Sequence, residues 1–161
     1  MLVVADTSPL IILARLGHLD LLALLYERVL VPHVVWLELV DANPGAPGVA
    51  ALRAASWLQV ALHPNPAGLD LGLDPGETAA IALAEAEGAD LLLIDERAGR
   101  AVATARGLQV RGALGVLVEA RLRGHIAALG PLLTRLQEEG FRLHPALVAR
   151  VLVEVGEPID G

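Results

Sequence analysis

Two short apolar runs, each ending on a carboxylate, constrain this chain more than any other feature. Met1 to Ala5 leads into Asp6, and Leu91 to Ile94 leads into Asp95. Runs this short, rich in Val and Leu and bounded by polar residues, read as strands buried on both faces, as strands of a parallel sheet are. After the first run, Ser8 is placed to cap a helix whose first position is Pro9, where a missing N–H costs nothing. After the second, Arg97 to Arg106 has helical spacing. Each acid therefore falls at the carboxyl end of a strand, the edge of an open α/β sheet at which ligands bind. If the two strands are neighbours, Asp6 and Asp95 emerge side by side. Two carboxylates held together repel unless a proton or a cation sits between them, and oxygen ligands of that kind suit a divalent metal.

The rest of the chain has the alternation such a sheet requires. Helices are expected from Pro9 to Leu16 and from Leu19 to Glu27, a strand at Arg28 to Pro32, and a helix from His33 to Asp41 with Trp36, Leu37 and Val40 on its apolar side. Val49 to Ala55 predicts a helix, Trp57 to Leu62 an outer strand and His63 to Leu73 a loop. Asp74-Pro75-Gly76-Glu77 opens a strong helix that runs through Glu87 and stops at Gly88. Beyond the second acid-tipped run come a strand at Leu108 to Arg111 and helices at Leu114 to Arg123, Leu132 to Glu139 and Pro145 to Val155. Strands alternating with helices imply a parallel sheet covered on both faces. At 161 residues, with no internal repeat or long linker, the expectation is a single domain over 1–161, with a core at about 1–123 and further helices at about 124–161.

Composition removes whole classes of chemistry. Although 55% of residues are hydrophobic and the mean hydropathy is +0.58, no stretch approaches the roughly 18 apolar residues of a membrane helix. The surplus suits a two-sided sheet and a subunit interface, so a homodimer is expected. No basic segment precedes the first run, which therefore reads as a strand and not a signal peptide. The absence of cysteine excludes disulfides and zinc-thiolate sites and points to the cytoplasm. Lysine is absent too, so all twelve basic side chains are Arg and no mechanism can use an ammonium group. The net charge of −7 conceals an asymmetry: residues 1–96 carry −10, residues 97–123 carry +5 and residues 124–161 carry −2. A basic segment beginning directly behind Asp95 is what a metal site acting on a polyanion needs beside it.

Asp6, Glu38, Glu77 and Asp95 are the candidate metal-binding and catalytic acids. Each alone has a plain structural explanation: Asp6 and Asp95 as supports of the helices that follow, Glu38 as a solvated acid on a mostly buried helix, Glu77 as part of a capping box opened by Asp74. Those explanations do not account for all four together.

Taken in order, Ala5-Asp6-Thr7-Ser8-Pro9-Leu10, Pro32 with Glu38 six residues on, Leu73-Asp74-Pro75-Gly76-Glu77, Ile94-Asp95-Glu96-Arg97 with Arg100, and Ala113-Leu114-Gly115-Val116-Leu117 resemble the PIN-domain superfamily. More narrowly they resemble a VapC-like branch of uncharacterised prokaryotic PIN-like nucleases. The resemblance implies a three-layer α/β/α sandwich with a central parallel sheet, in which Asp6, Glu38, Glu77 and Asp95 bind Mg²⁺ or Mn²⁺ and cleave RNA. Thr7, Ser8 and Glu96 fall at supporting positions beside these acids, and Leu93 stands where many VapC-type proteins have Thr. Arg97 and Arg100, one turn apart, are placed to hold the RNA backbone. The expected function is a metal-dependent endoribonuclease, the toxin of a toxin–antitoxin pair, with RNA, an antitoxin and a second copy as partners. The alternative is a catalytically weak PIN-fold module that binds RNA or a protein partner. A phospho-receiver domain is excluded by the absence of lysine, and a haloacid-dehalogenase phosphatase by Ser8 where a second Asp is needed. The five histidines lack ligand spacing. One Phe and one Tyr supply little base stacking, which favours recognition of the nucleic-acid backbone.

Overall fold

The computed structural model describes residues 1–159. Its five strands are all parallel: β1 (Leu2–Ala5), β2 (Arg28–Pro32), β3 (Leu58–Ala61), β4 (Leu91–Leu93) and β5 (Val110–Arg111). They lie in the order β3-β2-β1-β4-β5. The helices are α1 (Thr7–Arg15), α2 (Leu21–Leu25), α3 (His33–Trp36), α4 (Val49–Ala54), α5 (Pro75–Glu87), α6 (Arg97–Ala105), α7 (Ala113–Leu122), α8 (Gly130–Glu138) and α9 (Pro145–Glu154). The architecture is the three-layer α/β/α sandwich around a parallel sheet. Among the described residues no helix is long and apolar enough to cross a membrane.

Strand register explains why the apolar runs are continuous. Val4 lies opposite Leu30 on one side and Leu92 on the other, and these three pack with Ala80, Ile81, Leu83 and Ala84 of α5 and Ala103 of α6. Their neighbours Val3, Val29 and Leu91 point the other way and are also buried. Beyond their first residues, β1 and β2 therefore meet a covered face on both sides, as β4 does throughout. Helix α5 packs across β1, β2 and β4, and Gly76 to Ala84 are all buried along it, as expected of a helix apolar on most sides. It begins and ends as its sequence dictates: Asp74 accepts from the Glu77 N–H at 2.8 Å, and Gly88 takes the left-handed conformation at φ 60°.

The helix expected from Leu19 to Glu27 is confined to Leu21–Leu25 and the strand expected from Leu108 to Arg111 is confined to Val110–Arg111, and two further departures bear on the site. Ser8 is not the cap of α1: Asp6 occupies that position in extended backbone, its side chain makes no capping hydrogen bond, and the helix starts at Thr7. Pro9 is still within the first turn, where its missing N–H is harmless. The helix after β2 is also not uniform. From Leu37 to Asp41 it widens into a π-helical turn, with the Ala42 N–H donating five residues back to Leu37 at 2.8 Å. The wider turn rotates the buried face to Val35, Leu39 and Val40 and leaves Leu37 40% exposed. Such turns recur at functional sites, and Glu38 lies in this one.

The chain divides into two compact units, Met1–Ala113 and the residues from Leu114 onward. In the second, the Glu157 carboxylate accepts from the Leu129 N–H at 2.7 Å, the Gly130 N–H at 3.0 Å and Arg121 Nε at 2.9 Å, fastening the chain after α9 to the start of α8.

Candidate metal centre

The topology decides where chemistry can sit. From β1 the chain builds outward through β2 and β3, then returns to lay β4 and β5 on the other side. The reversal falls between β1 and β4, and the carboxyl edge at such a switch point is where open α/β sheets bind ligands. Asp6 follows β1 and its N–H donates to the Leu93 carbonyl of β4 at 2.9 Å. Asp95 follows β4, so both acids leave the sheet at this edge.

Helix α5 brings Glu77 to the same place. Its first turn approaches so closely that a Cβ on Gly76 would stand 3.0 Å from Glu38 Oε2 and 3.6 Å from Asp6 Oδ1. Two further glycines have the same role. A Cβ on Gly99 of α6 would run into Glu77 Oε2, and one on Gly112 would meet Asp95 Oδ1 at 2.5 Å. Each candidate acid is thus packed against a glycine, which lets backbone approach a carboxylate.

The acids are buried without adequate partners. Asp6 is 3% exposed and Glu77 8%, while Asp95 is half-buried and Glu38 is exposed at the rim. Asp6 Oδ1, Glu77 Oε2 and Asp95 Oδ2 are buried oxygens with no hydrogen-bond partner. Buried carboxylates in native proteins are paired or coordinate metals, because an uncompensated one is costly. Burial pushes the Asp6 carboxyl up to about 6, helped by the negative charges of Asp74 and Glu38 and opposed by the amide and hydroxyl of Thr7. Burial raises Glu77 to about 7, with added contributions from Asp74, Asp6 and Glu96. Glu38 is raised by burial and by Asp74, with the Thr7 hydroxyl pulling the other way. Asp95 is raised by burial too, with Glu96 adding to the rise and the Ala113 amide and Arg100 restraining it.

These interactions link the acids into a string. Asp74 acts on Asp6, Glu38 and Glu77, Asp6 acts on Glu77, and Glu96 acts on Glu77 and Asp95. It is not a cage: among the described residues no three His, Asp or Glu side chains converge closely enough to hold an ion together. The plain structural explanations can now be judged. Neither Asp6 nor Asp95 caps the helix that follows it, since Asp6 makes no capping bond and Glu96 occupies the position before α6; Asp95 instead accepts through Oδ1 from the Ala113 N–H at the start of α7. The cap of α5 is Asp74, whose side chain also interacts with the Glu77 carboxyl, and Glu77 Oε2 is left without a partner.

A family model for the PIN domain, DUF3368, matches residues 2–157. The chain is a PIN-domain protein. A search of curated proteins returned no match to it. PIN domains are as a rule nucleases that work with divalent metals such as Mg²⁺ or Mn²⁺. In this PIN domain Thr7 lies among the acids, Ser8 lies in the first turn of α1, and exposed Glu96 links two of the acids. Arg97 is exposed at the start of α6, whereas Arg100 is half-buried and donates from Nη1 to the Ile94 carbonyl at 3.2 Å. Sequence reasoning missed Asp74 as a member of the site. It reads there as a helix cap, and only the three-dimensional proximity of Asp6, Glu38 and Glu77 gives its charge a second role.

Proposed function

We propose that this PIN domain, functioning as one unit over 1–161, is a metal-dependent endoribonuclease hydrolysing RNA phosphodiester bonds at the acid string. The observation that carries the reading is the trio of buried, unpartnered oxygens on Asp6, Glu77 and Asp95. Mg²⁺ or Mn²⁺ fits this donor set, because Mg²⁺ binds through one or two carboxylates and keeps several waters, which acids in a string can accommodate. When bound, the ion lowers the pKa of a water and offsets charge developing on the phosphate.

The chain's own residues supply the rest. Asp6 is fixed by its backbone bond to β4 and presents Oδ1, and Asp95 is fixed by the Ala113 N–H on Oδ1 at 3.0 Å and presents Oδ2. Glu77 presents Oε2 from the first turn of α5. Glu38, with its raised pKa and its place at the rim, is suited to take a proton from an attacking water on Oε2. Purified protein is expected to cut RNA with Mg²⁺ or Mn²⁺ and not with EDTA. Equal cleavage by wild type and by an Asp6→Asn, Asp95→Asn double variant overturns the reading.

Arg97, exposed at the start of α6, is placed to meet the RNA backbone, whereas the Arg100 head is already engaged. Arg97→Glu is expected to weaken RNA binding uniformly across sequences and to lower the slope of log affinity against log salt by about 1 to 2. An unchanged slope assigns Arg97 to solvent.

The toxin role, the antitoxin partner, the homodimer and the cytoplasmic setting belong to the same proposal. The partner surfaces are supported by apolar side chains left exposed at Leu24, Val34, Leu37 and Leu62. A neighbouring reading frame without a small DNA-binding protein counts against the toxin pair, and a monomer mass of 16.8 kDa in light scattering counts against the dimer. One observation favours the alternative, a PIN module that binds RNA or protein with little cleavage: the acids do not close around a single point. RNA binding without metal-stimulated cleavage decides for it.

A further inference from the structure

The Asp95 end of the acid string differs from the Asp6 end in having a cation of its own. Arg100 lies one turn into α6, half-buried, its Nη1 held by the Ile94 carbonyl. Gly112 reports how close that head is to Asp95. A Cβ there would meet Asp95 Oδ1 at 2.5 Å and Arg100 Nη1 at 3.0 Å, so carboxylate and guanidinium both lie against Gly112. Asp95 is locked in this pose by the Ala113 N–H, which leaves Oδ2 buried and unpartnered. The charged groups that act on Asp6 are Asp74 and Glu38, both negative.

We infer that this centre takes one divalent ion per chain, because Arg100 stands beside Asp95 where a second ion would have to sit. The inference rests on the nuclease reading above. A string of six acids, Asp6, Glu38, Asp74, Glu77, Asp95 and Glu96, needs more positive charge than one dication supplies. Nucleases meet that need with two metals, and here a side chain takes one share. Arginine suits the purpose for two reasons. It keeps its charge at every working pH. Its planar fork is also directional, and with Nη1 committed to Ile94 the remaining donors keep a set orientation. A dication approaching buried Asp95 Oδ2 therefore meets a fixed like charge in a partly buried site, where repulsion is less screened than at the surface. Arg100 acts through Asp95 and the ion count. Its expected place as an RNA contact passes to Arg97.

The test is a Mn²⁺ titration of the full chain at pH 7.5, followed by the electron paramagnetic resonance signal of free Mn²⁺, with circular dichroism to confirm folding of each variant. Wild type is expected to bind one ion. Arg100→Gln, which removes the charge and keeps a hydrogen-bond donor for Ile94, is expected to bind two, the second more weakly. Arg100→Lys, which restores the charge, is expected to return the count to one. Two ions in wild type overturn the inference, as does a single ion in folded Arg100→Gln. No binding at all in wild type removes the metal-dependent reading itself, a different outcome. If Arg100→Gln fails to fold, the wild-type count still decides, and two ions in Arg100→Lys overturn the role of the charge.

Discussion

Asp6→Asn is expected to reduce metal-dependent RNA cleavage by at least about 100-fold while making the metal-free protein more stable. The first effect follows from losing the carboxylate that β1 delivers to the switch point. The second follows from the cost of that carboxylate. Its pKa of about 6, against an ordinary 3.8, means that ionising it at neutral pH works against the fold. Two pKa units correspond to about 3 kcal/mol. An Asn amide brings its own donors into a site with few acceptors and returns part of this, so the net gain is about 1 to 2 kcal/mol. For a chain of this length that raises the melting temperature by about 4 °C. Thermal unfolding in EDTA checks the sign, and saturating Mn²⁺ should abolish or reverse the difference. A variant that melts well below wild type in EDTA would make Asp6 a structural residue whose loss of activity says nothing about metal.

Trade-offs of this kind mark a site where local stability has been given up, and they bear on what a sequence can disclose. The sheet was legible because its strands are short apolar runs with no alternation, which only a doubly covered strand tolerates. Arg28 to Pro32 was readable to the residue, and α5 from its Asp74 cap to its Gly88 stop. Asp6, Asp95 and Glu77 could be placed from the sequence, since strand ends and a helix start fix them, whereas Glu38 lies inside a helix whose turn the sequence does not set. The mutual geometry of the four was not legible. Whether Asp6 caps α1 depends on where its carboxylate turns once Thr7 is helical, and Asp, Ser and Thr are nearly interchangeable as caps in sequence. The π-helical turn at Leu37 to Asp41 was invisible for a related reason: one hydrogen bond from Ala42 to Leu37 decides it, and no residue type requires that bond.

Arginines are the least legible of all. Arg97 and Arg100 are three residues apart on one helix, and both read as surface cations. The long side chain of Arg100 instead returns to the Ile94 carbonyl, beside Asp95. Sequence can assign such a residue a charge but not an address, because its reach covers both solvent and site. Its consequence is chemical. A cation already resident changes how many more the acids can accept.

Mn²⁺ should stabilise the protein strongly at pH 7.5 and hardly at all at pH 5. The sign follows from the raised carboxyls. Asp6 titrates near 3.8 when unfolded and about 6 when folded, and Glu77 moves from 4.5 to about 7. The native state therefore binds more protons than the unfolded chain between about pH 4 and 7. The stability those protons confer is fully present below about pH 4 and is lost as pH rises through 6 and 7. Metal-free protein should melt lower at pH 7.5 than at pH 5. The ion reverses this, because it binds the deprotonated acids and must displace protons at pH 5. With free Mn²⁺ at about 100 times its dissociation constant, the stabilisation is about 2.7 kcal/mol at pH 7.5, or about 5 to 10 °C in melting temperature. Glu157 does not confuse the comparison. Burial works against its charge, but the Gly130 and Leu129 amides and Arg121 hold its pKa below the ordinary value, so its contribution is lost only as pH falls below about 4.5. Melting curves at the two pH values, with Mn²⁺ and with EDTA, make the measurement. An equal Mn²⁺ shift at both would mean that the ion is held by groups other than Asp6 and Glu77.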